Sequence, residues 1–144
     1  MAPVRRVSPV EAKALIDAGY AYVDVRTEEE FHARHPAGSL NVPLSMTTSG
    51  GGPAPAGFLA TMERLFSRDA KIVVGCAVGG RSLRAAEVLG AAGFTDVVDQ
   101  RAGMEGARSP FGSLLEPGWA DAGLPVATGP DEGSLAVIQQ DRAR

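Results

Sequence analysis

Short runs of β-branched and apolar residues alternate with segments of helical periodicity along most of the chain. Three such runs, residues 20–25, 71–74 and 95–98, are short enough to be buried strands. Helical segments that start near Ser8, Thr27, Phe58 and Arg81 precede or separate them. This alternation predicts an α/β fold in which a mainly parallel sheet is covered by helices.

Two of the helix starts carry a capping signal. Ser8 is followed by proline at the first helical position and by Glu11 three residues later. Thr27 precedes three glutamates, Glu28–Glu30, whose charge suits the positive end of a helix dipole. We interpret these glutamates as a solvated first turn.

The length of 144 residues suits one domain with a single core. We expect this domain to span residues 1–127, with a surface excursion rich in Gly, Ser, Thr and Pro at residues 45–57. Residues 128–144 are polar and contain glycine, so they are predicted to form a flexible C-terminal tail.

Charge and hydropathy exclude several kinds of partner. A net charge of −3 without a basic run gives no support for a nucleic-acid partner bound through phosphates. No apolar stretch reaches the ~18–20 residues that span a bilayer, so no membrane partner is expected. The N-terminus lacks an apolar signal core, and the lone cysteine cannot form an internal disulfide. We therefore expect a cytoplasmic protein.

The lone cysteine, Cys76, lies between a predicted buried strand and a predicted helix. Ligands of open α/β sheets bind beyond the carboxyl ends of the strands, which is where Cys76 falls. The amides before and within the first helical turn have no partner in the helix, and Gly79 and Gly80 would let them curl around an anion. The predicted binding loop therefore comprises Ala77, Val78, Gly79, Gly80, Arg81 and Ser82.

A helix N-terminus or a nearby cation can lower the pKa of a cysteine thiol from its ordinary value of ~8.5. Cys76 would then be a nucleophile at neutral pH without a neighbouring base. The alternative is that Cys76 is only a small buried apolar residue, but the glycine pair and Arg81 favour chemistry. His32, His35 and Cys76 do not have the spacing of metal ligands, and no cofactor is expected.

Five separated stretches follow a recognisable pattern and together cover roughly residues 7–126. They are the loop Cys76–Arg81, the upstream block Tyr22–Phe31, the block His35–Pro43, the glycine-containing turn Ala102–Gly106, and Trp119 followed by Ala122–Val126. In these stretches the sequence resembles the rhodanese-like family of thiosulfate sulfurtransferases.

The resemblance implies a rhodanese-like three-layer fold and a transferase reaction. The Cys76 thiolate would take a sulfane sulfur from thiosulfate or a similar donor, forming a persulfide held by the loop amides. Arg81 would help to bind the anionic donor. A thiol, cyanide or a partner protein would then accept the sulfur, which predicts ping-pong kinetics.

The chain departs from the family pattern after the turn. Ala102 and Ala107 stand where the family usually has glycine and tryptophan, and residues 108–118 form an insertion that delays the tryptophan to Trp119. We expect this insertion at the rim of the site, where it leaves the substrate preference open. We interpret Trp119 as a packing residue.

We expect other polar residues of the matching stretches to have structural roles. Asp24 and Arg26 are expected to pair at the end of a strand, and His35 to be a hydrogen-bonded scaffold residue. Arg101 and Met104 either line the mouth of the pocket or are surface residues without a role in the site.

Two other functions stay open at this point. Phosphatases and arsenate reductases of the same fold place five residues between cysteine and arginine, whereas only residues 77–80 intervene here. This count argues for a narrower cradle that suits sulfur. A non-catalytic binding module would be expected to lack the cysteine, although a persulfide carrier that serves a partner protein is harder to separate from the enzyme.

Overall fold

A computed structural model of the chain describes residues 3–44 and 54–142. The helices are α1 (Pro9–Asp17), α2 (Glu28–Ala33), α3 (Ala54–Leu65), α4 (Gly80–Ala91) and α5 (Leu135–Arg142). The strands are β1 (Arg5–Val7), β2 (Ala21–Asp24), β3 (His35–Pro36), β4 (Leu40–Asn41), β5 (Ile72–Gly75), β6 (Val97–Gln100), β7 (Ala107–Arg108), β8 (Leu114–Glu116) and β9 (Val126–Ala127).

Five of the strands form one parallel sheet in the order β1-β6-β5-β2-β4. The prediction of an α/β fold with a parallel sheet flanked by helices is confirmed. The central strand β5 pairs with β2 on one side and β6 on the other, and all four of its residues are buried. This burial on both faces explains why its sequence is a continuous apolar run.

The two faces of the sheet carry separate apolar clusters. On one face Val23, Ile72 and Val74 pack with residues of α3, α4 and α5. On the other face Val73 packs with Trp119, which is buried and meets the Tyr22 ring edge-on at 5.4 Å. The interpretation of Trp119 as a packing residue is confirmed.

The capping box predicted at Ser8 is present, and the predicted cap at Thr27 also proves to be a capping box. The Ser8 hydroxyl accepts a hydrogen bond from the Glu11 amide, and the Glu11 carboxylate accepts one from the Ser8 amide. The same reciprocal pair joins Thr27 and Glu30 at the start of α2. These bonds satisfy amides that the helices leave unpaired and thus fix where α1 and α2 begin.

Two small antiparallel pairs lie outside the main sheet. Strand β3 pairs with β9, and β7 pairs with β8 to form a hairpin. The β7–β8 hairpin occupies the region of the predicted insertion at 108–118. Phe111, near its tip, is 95% exposed.

The C-terminal segment differs from the flexible tail that we expected over residues 128–144. As far as residue 142 it is described by the structure and lies against the core, where the side chains of Leu135 and Ile138 are buried. Asp131 adds a polar contact, because its carboxylate lies 2.6 Å from Nε2 of His35. The expectation failed because two apolar residues at helical spacing are enough to dock a short polar helix on an existing core.

The predicted excursion at 45–57 lies largely outside the described residues. Its last four residues belong to α3, which begins at Ala54 rather than near Phe58. Over the described ranges, no helix combines the length and the apolar character needed to cross a membrane.

Candidate active site

Cys76 directly follows β5, at the carboxyl end of the central strand. The residue is only 1% exposed and belongs to the main apolar cluster. Gly75 before it has no room for a side chain, because the Tyr22 hydroxyl occupies the space where a Cβ would stand. Strand β5 therefore holds the Cys76 thiol in a fixed and largely enclosed position.

Two backbone amides donate hydrogen bonds to the sulfur. The Gly79 amide lies 3.1 Å from Cys76 Sγ and the Ser82 amide 3.4 Å from it, and the Ser82 hydroxyl lies 3.3 Å away. Gly79 has a φ of +99°, so this bend requires glycine. Amides that converge on one atom at the start of a helix stabilise negative charge on that atom.

The rest of the predicted loop contributes in other ways. Within the described part of the chain, Ala77, Val78, Gly80 and Arg81 make no hydrogen bond to Sγ. Gly80 is the first residue of α4, does not have a positive φ, and has open space where a Cβ would stand, so it does not use the backbone freedom of glycine here. Val78 is 55% exposed and lies at the surface of the loop.

A second turn holds the loop from behind. The Met104 amide donates to the Cys76 carbonyl at 2.8 Å, and the Glu105 amide donates to the Ala77 carbonyl at 2.9 Å. Gly103 has a φ of +64°, and a Cβ there would collide with both of those carbonyl oxygens. The turn can therefore approach the loop only because this residue is glycine.

Arg81 is paired with a carboxylate. Its two terminal nitrogens donate to the Glu30 oxygens at 2.7 and 2.9 Å, which is the bidentate geometry of a strong ion pair. The Arg81 guanidinium, together with the Thr27 amide, lowers the pKa of Glu30 from 4.5 to about 2. Our interpretation of Glu30 as part of a solvated first turn was wrong, because the side chain reaches across to α4.

A second arginine supports the loop from the edge strand β1. Arg6 Nε donates to the buried Asp99 carboxylate at 2.7 Å, and Arg6 Nη2 donates to the Gly79 carbonyl at 3.2 Å. Burial raises the pKa of Asp99, while the Ser82 hydroxyl and Arg6 act in the opposite direction. Sequence reasoning missed both residues, since they lie 93 positions apart and no local spacing links them.

Asp24, Arg26 and His35 have the structural roles that the sequence predicted for them. Arg26 is buried and donates to both oxygens of Asp24, with Nη2 at 2.8 Å from the nearer one. His35 stacks on Phe31 and places its ring nitrogens 2.6 Å from the Phe31 carbonyl and the Asp131 carboxylate. The predictions of a strand-end pair and of a scaffold histidine are confirmed.

A cleft of about 470 Å³ adjoins the loop on the side of the β7–β8 hairpin. Arg101 lines it and forms a bidentate pair with Glu116 at 2.9 and 3.0 Å, whereas Met104 is buried in the core. Residues of the β7–β8 hairpin therefore lie beside the loop. The lining of the cleft consists of Arg6, Val78, Arg101, Ala107, Arg108, Leu115 and Glu116.

No group of His, Cys, Asp and Glu suited to a metal ion occurs within the described ranges.

The chain is similar to a known family of proteins. A family model described as Rhodanese-like domain matches residues 8–109. Thiosulfate sulfurtransferase 16, chloroplastic, from Arabidopsis thaliana is 38% identical over 120 residues, which are 83% of this chain and 90% of that protein. Protein HIGH ARSENIC CONTENT 1, mitochondrial, from the same plant is 32% identical over 133 residues, covering 92% and 72% of the two chains.

Among solved structures, the crystal structure of Rv0390 from M. tuberculosis superposes with a TM-score of 0.73 at 27% identity. The match covers 89% of this chain and all of that one.

Proposed function

The chain belongs to the rhodanese-like domain family, and from this premise we propose that it moves a sulfane sulfur through a persulfide on Cys76. A sulfurtransferase activity of the rhodanese type accords with its thiosulfate sulfurtransferase relatives. To this general activity the proposal adds the identity of the nucleophile, of the sulfur donor and of the sulfur acceptor.

The proposed reaction has two displacement steps. The Cys76 thiolate attacks the outer sulfur of thiosulfate, a new sulfur–sulfur bond forms, and the donor's own sulfur–sulfur bond breaks with its electron pair leaving on sulfite. An acceptor thiolate then attacks the terminal sulfur of the Cys76 persulfide. The Cys76 thiolate leaves with the electron pair and is ready for the next donor.

The observation that carries this proposal is the convergence of two amides, from Gly79 and Ser82, on Sγ of the chain's lone cysteine. These donors stabilise the thiolate both as attacking group and as leaving group, so one arrangement serves both steps. No base is required, and His35 is occupied by Phe31 and Asp131. The bidentate pair with Glu30 neutralises the Arg81 guanidinium, so in the proposal the anionic donor is bound mainly by the loop amides, with Arg81 at the rim.

The competing reactions need a different site. A phosphatase or arsenate reductase would have to surround a tetrahedral anion, and the four residues between Cys76 and Arg81 make a tighter loop. The name of the arsenic-related relative makes arsenate worth including among the substrates tested.

A protein acceptor would use the same chemistry as a small thiol. The cytoplasmic location stays a prediction.

The test is the intact mass of the folded protein after incubation with thiosulfate. The proposal predicts the gain of one sulfur atom, its removal by cyanide or a thiol, and no gain in Cys76→Ser. Because the chain has a single cysteine, any adduct is assigned without further mapping. Absence of an adduct with every sulfane donor tried, or release of phosphate from an aryl phosphate, would count against the assignment.

A further inference from the structure

We propose that Ser82 and Asp99 form a proton relay behind the nucleophile, in which Cys76 and Asp99 share one proton through the Ser82 hydroxyl. Ser82 contacts the reacting sulfur, whereas Asp99 acts through Ser82 and is therefore a positioning residue. This inference rests on the proposed function, because it concerns how the nucleophile of that reaction becomes a thiolate. The two displacement steps still need no base, since the relay acts before the attack.

Two buried polar groups near the thiol have unused hydrogen-bonding capacity. Asp99 is fully buried, and its Oδ2 accepts from Arg6 Nε at 2.7 Å, but its Oδ1 has no hydrogen-bond partner among the described residues. The Ser82 hydroxyl is also buried, and its contact with the Gly79 carbonyl, at 3.5 Å, is longer than the ~2.5–3.0 Å of a good O–H···O bond. An unpaired buried acceptor and a poorly used buried donor each cost free energy, which a hydrogen bond between them would recover.

The position of Ser82 links the sulfur to this carboxylate. Ser82 Oγ lies 3.3 Å from Cys76 Sγ. Burial raises the pKa of Asp99, and the Ser82 hydroxyl opposes that rise, so it also lies close to the Asp99 carboxyl. A rotation of the Ser82 side chain towards Oδ1 therefore pairs the two unused groups while Ser82 keeps its contact with the sulfur.

The relay moves one negative charge and leaves the number of protons unchanged. When the thiol ionises, its S–H bond breaks and the proton passes to Ser82 Oγ, while the hydroxyl proton of Ser82 passes to Asp99 Oδ1. The hydrogen bonds then run from Asp99 to Ser82 and from Ser82 to the thiolate, which reverses their order in the thiol state. Either state satisfies all three groups, whereas Ser82 could donate to only one of two anions. Cys76 and Asp99 therefore titrate as a coupled pair.

The other titratable groups packed around the sulfur are already engaged or stay neutral. Arg6 of β1 holds the second oxygen of the relay carboxylate, and Arg81 of α4 is held in its ion pair. Burial raises the pKa of Tyr22 on β2, so its phenol keeps its proton. Asp24, at the end of the same strand, has both oxygens bound by Arg26. Among the described residues around the sulfur, the relay carboxylate is thus the titratable group with an unused acceptor atom.

The experiment measures thiolate formation directly, by the ultraviolet absorbance of the folded protein against pH, with the curve of Cys76→Ser subtracted. In Asp99→Asn, Arg6 selects the amide oxygen, so an N–H faces Ser82 as it would from protonated Asp99. We expect the pH of half-ionisation to fall by roughly one unit, because a nearby negative charge is removed. In Ser82→Ala the thiolate loses a hydrogen-bond donor, and the pH of half-ionisation should rise by roughly one unit.

The double variant separates the relay from a simple charge effect. With alanine in place of Ser82, Asp99→Asn should shift the pH of half-ionisation by less than about 0.3 units, because the coupling runs through the hydroxyl. The matched control is Asp96→Asn, at the opposite end of β6, where the carboxylate accepts from the Tyr20 hydroxyl. This control should keep the wild-type curve. The pH profile of persulfide formation should follow the thiolate curve in every variant.

Three results would overturn the relay. They are a pH of half-ionisation that does not fall in Asp99→Asn, one that does not rise in Ser82→Ala, or an equal shift from Asp99→Asn with and without Ser82. If Asp99→Asn does not fold, infrared spectroscopy decides. The carbonyl band of the protonated carboxylic acid should persist to higher pH in the wild type than in Cys76→Ser, and equal curves would overturn the shared proton.

Failure of the proposed function is a separate result. In that case thiosulfate would add no sulfur to the wild-type protein at any pH. The thiolate curves require no sulfur transfer, so they would still show whether Asp99 controls the ionisation of Cys76.

Discussion

Gly103 lies outside the nucleophile loop, yet adding one methyl group there should disturb that loop. Alanine at this residue must adopt a φ near +64°, which costs about 1–2 kcal/mol for an L-residue. Its Cβ would also collide with the Cys76 and Ala77 carbonyl oxygens, forcing the turn away from the loop. The two hydrogen bonds from the Met104 and Glu105 amides would then be lost, at about 1 kcal/mol each.

The sum predicts that Gly103→Ala lowers the free energy of unfolding by about 3–4 kcal/mol. Gly123→Ala is the matched control, because Gly123 has a similar φ of +80° but no atom lies within 4 Å of the place where its methyl group would stand. The control should lose only the backbone contribution of about 1–2 kcal/mol. Urea unfolding followed by tryptophan fluorescence measures both variants, since Trp119 is the single tryptophan and is buried.

The same variant should also impair transfer, because the carbonyls of Cys76 and Ala77 set the direction of the loop that carries Sγ. We expect the rate of persulfide formation to fall at least about tenfold in Gly103→Ala, by analogy with the loss of positioned amide donors. Gly123→Ala should keep the wild-type rate. Equal stabilities and equal rates in the two variants would refute the argument from close approach.

Two further predictions concern the ion pairs around the loop. The pKa of Glu30 is lowered to about 2, so the pair with Arg81 should stabilise the fold fully above pH ~4.5 and lose its effect as the pH falls towards 2. In urea unfolding, Glu30→Gln should therefore be less stable than Glu29→Gln by on the order of 1 kcal/mol at pH 7, with the gap closing in acid. Arg6→Ala leaves the buried Asp99 carboxylate without its cation and should cost about 2–3 kcal/mol, whereas a change of Arg5, which is exposed, to Ala should cost under about 0.5 kcal/mol. Equal unfolding midpoints for the two arginine variants would contradict the assigned role of Arg6.

The parts of the fold that the sequence predicted are those governed by local rules. The apolar runs became β2, β5 and β6, and the side chains of Ser8 and Thr27 capped the helices as expected. Burial on both faces of a parallel sheet and capping at a helix start each depend on a few adjacent residues, so the order of residues along the chain is enough to recognise them.

The parts that could not be predicted depend on residues far apart in the chain. Arg81 and Glu30 are separated by 51 positions, and nothing near either residue shows that they will meet. The docking of the C-terminal helix likewise depends on a surface assembled from α3 and β4, against which Leu135 and Ile138 pack. The sequence of a weakly apolar segment alone does not show whether it forms a docked helix, because the docking depends on that surface.

The pairing of the sheet sets the order in which the nucleophile can be enclosed as the chain is synthesised. Strand β1 is made first, yet its partner is β6, which is completed only at residue 100. The loop around Cys76 acquires its rear support later still, from the amides of residues 104 and 105. The loop around Cys76 therefore cannot be held in its final position until residues 104 and 105 are free to pair with it. Because such long-range pairings form late in folding, a chain that has not yet made them lacks this support, and its cysteine is more open to oxidation or to capture by another thiol than in the folded protein.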